Sequence, residues 1–483
     1  MNATPINEAL LDEKLAILEK ARAWSPRTVS KLELHVRTAG DEELYRLNPL
    51  LWAATRNISG REAVDLFLYA TWAGLFQMNW ALYCPICGDE VESFRTLRHV
   101  NLHFHCNLCR VENDTALDEF IHVNFTVSPT IRRITFHEQG NLTARDYYFK
   151  YRFHPTARLP DGRTFVDYLR GNTLDCDYVE PEETKVFDFV AQPGWIVCSD
   201  IPNNALVVIA VKGAERSART TLRYVFNRNL AVTETPEITP GPLTLEIRNA
   251  GSVRSPVLIF HELPDLKSAM LDFGPALTGK QVLATQVFRD LFRNEIVQGT
   301  EGLAVRDITI LFTDIKGSTA LYDRIGDLKA FAMVREHFDH MRRVINANEG
   351  AVVKTIGDAI MATFTKPLDA VQAALAMIAE IDRFNAASGR TDILLKIGMH
   401  RGAAIAVTLN ERLDYFGQTV NLASRVEGLA EAKEIYLTED VLKAPGVEAA
   451  LASHTIEPRI AHLKGVSEAM RVFRIVPQNA RAA

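Results

Sequence analysis

Apolar positions change their spacing along the chain, and these changes predict a series of structural regions. Over residues 1–80 they recur at helical spacing, and Ser59 with Glu62 forms a capping-box pair ahead of an apolar run. The stretch Leu66–Cys84 is almost wholly apolar, but a glutamine and an asparagine interrupt it. Since a membrane span needs about 20 consecutive apolar residues, we expect a buried helix here and no transmembrane segment.

At about residue 113 the pattern changes to short apolar runs separated by Pro, Gly, Asn and Asp. Examples of these runs are FIHVNFTV, ALVVIAVKG, LTLEIRN and SPVLIFHEL. Two polar segments, at 180–184 and 233–242, have the composition of loops. This texture predicts an all-β domain over residues 113–265 that is β-sandwich-like, although a barrel would fit the pattern equally well.

A helical period returns within the linker segment 266–304. Thr278 and Gln281 form a second capping box. The apolar residues that follow at helical spacing are Leu283, Val287, Phe288, Leu291 and Phe292. We therefore predict one continuous linker helix over residues 276–297.

The last region, residues 305–477, alternates strand and helix signals. DITILFT predicts a buried strand, VVKTIGDAIMATF a hairpin at 352–364, and LLKIGMH a further strand. Residues 327–348 and 367–385 predict helices, the first of which would bury one apolar face made of Phe331, Val334, Phe338, Met341 and Ile345. Such alternation predicts a sheet layered with helices, so the whole chain is expected to be a multidomain α+β protein.

Composition narrows the class and location of the protein. Of 483 residues, 47% are hydrophobic and 24% charged, which excludes a disordered chain or a coiled-coil rod. The formal charge of −6 argues against a protein that coats nucleic acid. The cysteines number only six, too few for a disulfide framework, and the N-terminus lacks the features of a signal peptide. We therefore expect a cytoplasmic protein without a nucleic-acid partner.

Two C-x-x-C motifs predict a metal site at residues 81–112. Their cysteines are Cys84, Cys87, Cys106 and Cys109, and 18 residues separate the two motifs. This spacing is typical of a tetrahedral four-thiolate zinc site in a zinc ribbon. The one Zn²⁺ would be structural, because four protein ligands leave no open position for water. A redox pair of cysteines or a chance pattern are the alternatives.

The neighbouring histidines and the remaining cysteines have simpler interpretations. His99, His103 and His105 lie between or beside the two motifs, and one of them could replace a thiolate, but we expect them to be bystanders. Cys176 and Cys198 stand alone in the strand-rich region. A small buried core residue is the expected role for each of these cysteines.

Two aspartates at predicted strand ends are candidate ligands for catalytic metal ions. Asp314 follows the apolar strand ILFT, and Asp358 lies in the predicted turn of the hairpin. Mg²⁺ favours one or two carboxylates together with substrate phosphates. Two such ions a few ångströms apart could clamp the attacking and leaving oxygens of a phosphoryl displacement. Either aspartate alone would be an ordinary turn residue.

A third cluster, DYFGQTVNLASR at 414–425, adds an amide and a guanidinium. If a helix begins near residue 417 or 419, Asn421 and Arg425 stand four residues apart on one helix face. An arginine in this place can stabilise the charge that builds up on a pentavalent phosphorus. Taken alone, the cluster would equally describe an amphipathic helix with a surface arginine.

Together these motifs resemble the catalytic domain of the class III nucleotidyl cyclases, the adenylate and guanylate cyclase family. The matching segments are FTDIKGST (312–319), the hairpin at 352–364, the cluster at 414–425, and Leu463-Lys464-Gly465. The resemblance covers about 170 residues and implies a ferredoxin-like α/β domain. It also implies a head-to-tail homodimer with active sites at the dimer interface.

The resemblance assigns a role to each matching residue. Asp314 and Asp358 match the aspartates that bind two Mg²⁺ or Mn²⁺ ions, and Ile315 offers a backbone carbonyl to the same metals. Asn421 matches the residue that orients the ribose. Arg425 matches the arginine that stabilises the transition state. The implied reaction is attack of the ribose 3′-OH on the α-phosphate, with release of pyrophosphate.

The same resemblance indicates the substrate. Lys354 and Asp414 match the pair that recognises adenine, and Lys464 matches a residue that meets the triphosphate. A lysine can donate to adenine N1 and an aspartate can accept from the N6 amine, whereas guanine presents the reverse polarity. The guanylate branch typically has Glu and a small residue such as Cys at these two positions. ATP is therefore the expected substrate and cyclic AMP the expected product.

The function of the N-terminal half is left open by the sequence. It resembles, in arrangement, an uncharacterised module found ahead of some bacterial cyclases, which names no regulatory ligand. The linker helix either transmits a signal to the dimer, as in many members of this family, or is a plain connection. Two other functions remain as alternatives: a cyclase with guanylate or pyrimidine preference, and a catalytically silent scaffold that uses its zinc ribbon as a binding surface.

Overall fold

The computed structural model describes residues 5–227, 235–262, 271–293, 295, 302–387, 389, 393–466 and 468–478. Its α-helices are α1 (Glu8–Ala21), α2 (Thr28–Thr38), α3 (Pro49–Ala54), α4 (Gly60–Trp72), α5 (Ala144–Asp146), α6 (Phe165–Asn172), α7 (Gly279–Leu283), α8 (Gln286–Leu291), α9 (Ser318–Ile325), α10 (Asp327–Ala347), α11 (Pro367–Ala387), α12 (Gln418–Glu427), α13 (Glu439–Leu442) and α14 (Val447–Ala450). Its strands are β1 (Phe76–Tyr83), β2 (Glu90–Phe94), β3 (His103–Cys106), β4 (Val111–Asp114), β5 (Ile121–Val127), β6 (Thr173–Val179), β7 (Thr184–Ala191), β8 (Gly194–Asp200), β9 (Ala205–Val211), β10 (Thr220–Phe226), β11 (Glu237–Ile238), β12 (Gly241–Asn249), β13 (Ser255–Glu262), β14 (Leu303–Ile315), β15 (Gly350–Ile356), β16 (Ala359–Phe364), β17 (Leu395–Leu409), β18 (Arg412–Phe416), β19 (Ile435–Thr438), β20 (Thr455–Ala461) and β21 (Met470–Val476).

Helices α1 to α4 form the start of the chain, and α4 begins at the predicted cap. The Ser59 hydroxyl accepts the Glu62 N–H at 3.1 Å, which satisfies a free donor of the first turn. The Glu62 carboxylate does not return to Ser59; it accepts the N–H of Ser25 at 2.7 Å instead. The predicted capping residue is therefore correct, while its partner ties α4 to the loop between α1 and α2.

The apolar stretch Leu66–Cys84 is not one buried helix: the prediction of a helix holds as far as Trp72 and is wrong from Phe76 onward. Helix α4 ends at Trp72, Gly74 turns the chain at a φ of 86°, and β1 follows from Phe76. Strand β1 pairs with β2 on one side and β5 on the other. A strand that is buried on both faces loses the polar alternation that identifies strands, so it cannot be told from a buried helix by periodicity.

The predicted all-β domain over 113–265 is also wrong in part. Helices α5 and α6 and a π-helix at Tyr147–Arg152 occupy the segment between β5 and β6. Their aromatic side chains pack into the core, and the buried Tyr148 hydroxyl donates to the carbonyl of Pro256. Aromatic residues have high strand propensity, and here tertiary packing overrides that propensity.

After this helical segment, the strands β6 to β13 form sheets with the orders β10-β12-β7 and β11-β9-β8-β13-β6. Side chains from both sheets share one apolar cluster, with Phe187 and Leu243 from the first sheet and Ile196 and Val257 from the second. The sheets therefore pack face to face, as in a β-sandwich.

The predicted linker helix over 276–297 is replaced by two short helices, α7 and α8; residues 294, 296 and 297 lie outside the described part of the chain. The capping box is present, since Thr278 and Gln281 exchange hydrogen bonds. The helix is broken after Leu283, since Ala284 and Thr285 lie outside both helices, and the Arg289 side chain donates to the Leu283 carbonyl at 2.8 Å. This bond satisfies a carbonyl that the end of α7 leaves without an intrahelical partner.

The C-terminal region is built on one sheet with strand order β15-β16-β14-β17-β19-β21-β20, and β18 pairs with β17. Strand β14 lies centrally and runs antiparallel to both β16 and β17. The predicted hairpin at 352–364 is confirmed by β15 and β16, and the predicted helices and strands of this region are present. This layout places the ends of β14 and β15 near each other.

The two faces of this sheet have different partners. On one face, Leu311 packs with α10 and α11 in the region's own core. On the other face, Ile308, Ile310 and Phe312 join the apolar core of the N-terminal region. The predicted apolar face of α10 is wrong at Phe331, which is 63% exposed. Within the described residues, no helix is long and apolar enough to cross a membrane.

Candidate functional site

The predicted metal-binding aspartates lie at neighbouring strand ends of the C-terminal sheet. Asp314 is the penultimate residue of β14, beside Ile315, and Asp358 lies in the turn between β15 and β16. Gly357 adopts a φ of 63° in this turn, a conformation that glycine takes without steric cost. The tight turn aims the Asp358 carboxylate toward the end of β14.

The electrostatics of this pair suit a divalent cation. Burial raises the pKa of Asp358, the Ser318 hydroxyl opposes that shift, and the nearby Asp314 carboxylate raises the pKa further. The Asp358 Oδ2 atom is buried and has no hydrogen-bond partner among the described residues. A cation would relieve both the repulsion and the unsatisfied oxygen, so the two carboxylates fit a metal pair of the Mg²⁺ or Mn²⁺ type.

Sequence reasoning missed two charged residues at this site, Lys396 and Glu427. The Lys396 ammonium lies 2.8 Å from Asp314 Oδ2 and 2.8 Å from Glu427 Oε1. Burial disfavours its charge, but the hydrogen bonds to these two carboxylates outweigh burial and raise the pKa of Lys396. Lys396 is the direct cross-strand partner of Asp314 in β17, so only knowledge of the strand register could have identified it.

The predicted base-recognition residues form an ion pair. Lys354 Nζ lies 2.6 Å from Asp414 Oδ2, and the N–H of Tyr415 donates to Asp414 Oδ1 at 2.8 Å. Asp414 is only 6% exposed. A bulge at Val353 shifts the register just before Lys354, and bulges re-aim side chains in this way. The bulge and the buried aspartate together hold the lysine head group in one place.

Helix α12 carries the amide and the guanidinium, as the spacing predicts. It begins at Gln418 after Gly417, and Asn421 and Arg425 lie one turn apart, the first exposed and the second half-buried. A Cβ placed on Gly465 would lie 3.4 Å from a terminal nitrogen of Arg425, so the loop that carries Lys464 runs beside this guanidinium. Lys464 itself is exposed.

The contacts divide the predicted residues into groups within one chain. Asp314 and Asp358 form one group. The ion pairs of Lys396 with Asp314 and with Glu427 link this group to α12, because Glu427 lies two residues beyond Arg425 in that helix. Lys354 and Asp414 form another group. No hydrogen bond or ion pair between described residues joins the base-recognition pair to the aspartate pair.

The four predicted zinc ligands converge in a separate cluster. The Sγ atoms of Cys84, Cys87, Cys106 and Cys109 all lie within 4.8 Å of one another, and those of Cys87 and Cys106 are 3.6 Å apart. A tetrahedral zinc with bonds of about 2.3 Å needs sulfur–sulfur separations of about 3.8 Å. The cluster therefore has the donor set and the dimensions for one Zn²⁺, and His99, His103 and His105 are not part of it.

The two cysteine motifs share one backbone geometry. The carbonyl of Cys84 accepts the N–H of Gly88 at 2.9 Å, and that of Cys106 accepts the N–H of Arg110 at 2.8 Å. Gly88 and Arg110 both adopt positive φ, at 64° and 56°. In the second motif, the N–H of Cys109 also donates to the Cys106 sulfur at 3.4 Å. These turns bring each pair of thiols to one side of the backbone.

Comparison with known proteins divides the chain at about residue 300. Residues 303–473 match the family model described as the adenylate and guanylate cyclase catalytic domain. Residues 10–290 match a family of unknown function, DUF5939. The DUF5939 match runs from α1 to α8. It includes the cysteine cluster and the sheets formed by β1 to β13.

Curated relatives match only the C-terminal part. An adenylate cyclase of Anabaena cylindrica is 31% identical over 198 residues, 37% of this chain and 39% of the relative. Adenylate cyclase 1 of Rhizobium meliloti is 30% identical over 213 residues, 40% of this chain and 31% of the relative. A receptor-type guanylate cyclase of Drosophila melanogaster is 30% identical over 153 residues, 29% of this chain and 10% of that protein. The chain thus spans less than two fifths of each of these relatives.

Among solved structures, the adenylyl cyclase CyaB from P. aeruginosa is 23% identical; the match covers 36% of this chain and 96% of that one with a TM-score of 0.32. The guanylate cyclase domain from Catenaria anguillulae gives 23% identity, 36% and 98% coverage, and a TM-score of 0.32. From the family matches, the chain belongs to the family of unknown function DUF5939, and its C-terminal part is a class III nucleotidyl cyclase catalytic domain.

Proposed function

We propose that this protein is an adenylate cyclase that converts ATP to 3′,5′-cyclic AMP and pyrophosphate. The observation that carries the choice of ATP is the ion pair between Lys354 and the buried Asp414. The lysine can donate to adenine N1, and the aspartate can accept from the adenine N6 amine. Guanine would place a donor against the lysine and an acceptor against the aspartate, and such unpaired buried groups oppose binding.

The side chains of the site divide the work of the reaction. Asn421 orients the ribose so that its 3′-OH faces the α-phosphorus. The 3′-oxygen forms a bond to that phosphorus, the bond from the phosphorus to the bridging oxygen breaks, pyrophosphate leaves with the electron pair of that bond, and the hydroxyl proton passes to water. Arg425 stabilises the negative charge that builds up on the equatorial oxygens. Lys464, whose neighbour Gly465 lies beside Arg425, would meet the triphosphate.

Asp314, Asp358 and the carbonyl of Ile315 would hold two Mg²⁺ or Mn²⁺ ions. When bound, these ions supply Lewis-acid stabilisation of the attacking and leaving oxygens. The Lys396–Glu427 pair orients the Asp314 carboxylate. It thereby fixes the spacing between the aspartate pair and helix α12.

The complete site is proposed to form between the subunits of a head-to-tail homodimer. Within one chain, the aspartate pair and the base-recognition pair have no direct bond among the described residues, as expected if each nucleotide is held by two chains. Ile356 and Phe416, each two residues from a base-recognition residue, are 52% and 63% exposed. A second copy would bury these side chains, and twofold symmetry would create two equivalent sites.

The N-terminal region is proposed to regulate the catalytic domain at 305–477. Its helical part, zinc ribbon and sandwich would act together, and the zinc ion would have a structural role, since all four of its positions are taken by thiolates. Free thiols suit a reducing, cytoplasmic compartment.

A turnover assay tests the proposal. Purified full-length protein is given ATP, GTP, CTP and UTP separately, with Mg²⁺ or Mn²⁺, and products are identified by mass. Cyclic AMP from ATP at a much higher rate than any other cyclic nucleotide is the expected result. Cyclic GMP as the main product would instead place the protein with relatives such as the Drosophila guanylate cyclase. A folded dimer without any turnover would favour a silent scaffold.

A further inference from the structure

Helix α8, the last described helix before the catalytic domain, touches both strands that carry the base-recognition pair. It lies in the N-terminal region, between α7 and β14, and packs against β15, the strand of Lys354. One of its side chains also reaches β18, the strand of Asp414. A cavity of about 250 Å³ lies at this junction, lined by Gln286 and Arg289 from α8 and by Lys354 from β15.

Gln286 supports the lysine strand. Its Oε1 atom accepts the N–H of Val352 at 2.8 Å, immediately before the bulge that re-aims Lys354. The same side chain donates to Asp290 at 3.1 Å, and Asp290 is ion-paired with Arg342 of α10. Gln286 is buried, so its amide is held in one orientation by bonds at both ends.

Arg289 supports the aspartate strand. Its guanidinium donates to the carbonyl of Leu413 at 2.9 Å and lies 5.3 Å from the ring centre of Tyr415. Leu413 and Tyr415 flank Asp414, and the N–H of Tyr415 donates to the Asp414 carboxylate. A hydrogen bond from a charged donor is about twice as strong as a neutral one, so Arg289 restrains the Leu413 backbone on one side of Asp414 and contacts the Tyr415 ring on the other.

Packing fixes the position of α8 itself. Phe288 is fully buried in the core of the N-terminal region, where its ring centre lies 5.9 Å from that of Trp80 in β1. Strand β1 ends at Tyr83, directly before the zinc-ligand position Cys84. A continuous series of contacts therefore connects the cysteine cluster, through β1 and α8, to the strands of Lys354 and Asp414.

We propose that Gln286 and Arg289 are positioning residues that set base selectivity: the N-terminal region holds the Lys354–Asp414 pair in the geometry that fits adenine. The inference rests on the proposed function, because it concerns recognition by that same site. It goes further in assigning part of the substrate specificity to residues outside the catalytic domain. Movement of α8 would then change the affinity for ATP before it changed the chemical step.

A purely structural role of α8 would have a different signature. Loss of packing would lower the fraction of folded, active protein and reduce the rate with every nucleotide equally. Loss of positioning would raise KM for ATP and narrow the preference for ATP over GTP, with little change in kcat. The triphosphate and metal-binding residues are the same for all nucleotides, so the ATP-to-GTP ratio separates these outcomes.

The test compares full-length variants in the cyclase assay. Arg289→Gln and Gln286→Met remove the two supports separately, and Arg289→Lys keeps the charge. The matched control is Arg61→Gln: Arg61 also bridges the N-terminal region and the catalytic domain, through Asn346 and Glu349, but away from the base-recognition pair. Thermal unfolding of each variant reports on folding.

We expect R289Q and Q286M to raise KM for ATP about tenfold, which corresponds to about 1.4 kcal/mol. The preference for ATP over GTP should fall by a similar factor, kcat should change less than about twofold, and R289K should recover part of the loss. R61Q should leave KM and the preference unchanged. If R289Q and Q286M behave like R61Q, or lower kcat equally for both nucleotides, the inference is wrong. A wild-type protein that makes no cyclic nucleotide would overturn the proposed function as well.

Discussion

Exchange of the base-recognition pair is the most direct test of the substrate. Lys354→Glu replaces the ammonium that lies 2.6 Å from Asp414 Oδ2 with a carboxylate, so it sets two negative charges against each other beside an Asp414 side chain that is only 8% exposed. K354E removes the hydrogen bond that the lysine would donate to adenine N1, and a hydrogen bond to a charged group contributes about 1.5–3 kcal/mol. Because the Lys354 side chain is 38% exposed, we take about 2 kcal/mol, or roughly 30-fold in kcat/KM for ATP.

Adding Asp414→Cys separates recognition from stability. The double variant K354E/D414C no longer contains a buried like-charge pair, so its unfolding temperature should return toward that of the wild type. ATP use should stay low, because no donor faces adenine N1 and no carboxylate faces the N6 amine. A glutamate can instead accept from guanine, so the ratio of kcat/KM for ATP to that for GTP should fall at least about tenfold.

The assay measures kcat/KM for ATP and GTP in the wild type, both single variants and the double variant, under Mg²⁺ and under Mn²⁺. Lys433→Glu is the control, because it breaks the ion pair between Lys433 and Asp382, 2.9 Å apart, elsewhere in the same domain. Lys433→Glu should change neither the ratio of kcat/KM for ATP to that for GTP nor the value of kcat. A double variant that folds and dimerises like the wild type, yet keeps the full preference for ATP, would refute the recognition argument.

Three further predictions concern metals and pH. Asp314→Ala should abolish turnover but cost only about 1 kcal/mol of stability, since Lys396 keeps its second carboxylate partner; retained activity would remove the metal assignment. Cys106→Ser should reduce bound zinc, measured by elemental analysis, from about one ion per chain, and lower the unfolding temperature; Cys198→Ser, away from the cluster, should not change the zinc content. Burial lowers the pKa of His122 to about 4 from 6.5, so its contribution to stability is complete above pH 6.5 and is lost as the pH falls. At pH 5 His122 should account for about 2 kcal/mol of the stability lost in urea unfolding, so the total loss should be about 2 kcal/mol smaller in His122→Phe; equal pH dependence of both proteins would contradict the assignment.

The features that were predicted best from the sequence are those encoded by short motifs or by the periodicity of a single element. The cysteine spacing predicted a cluster that the fold brings together, and the order of carboxylate, hairpin and helix motifs placed the catalytic elements. Asn421 and Arg425 lie on the predicted helix because helical periodicity needs no knowledge of distant residues. Each of these predictions depended on short motifs whose own residues are close in sequence.

The failures have nonlocal causes. Strand β1 was predicted as a helix because burial on both faces removes alternation, and only its pairing with β2 and β5 makes it a strand. At the break between α7 and α8 the Leu283 carbonyl accepts from the Arg289 side chain, a contact that periodicity does not show. Lys396 could be found only from its register opposite Asp314. In each case, contacts that are distant in sequence or made by one side chain decide the outcome.

The apolar core shared by the N-terminal region and the catalytic sheet has a consequence for biosynthesis. The N-terminal residues leave the ribosome first, and part of their apolar surface stays uncovered until Ile308, Ile310 and Phe312 have been made. At about 5–20 residues per second, the roughly 300 residues from Leu11 to Phe312 of this core take about 15–60 s to synthesise. Chaperone occupancy on the nascent chain should therefore peak before β14 emerges and decline once this strand has docked.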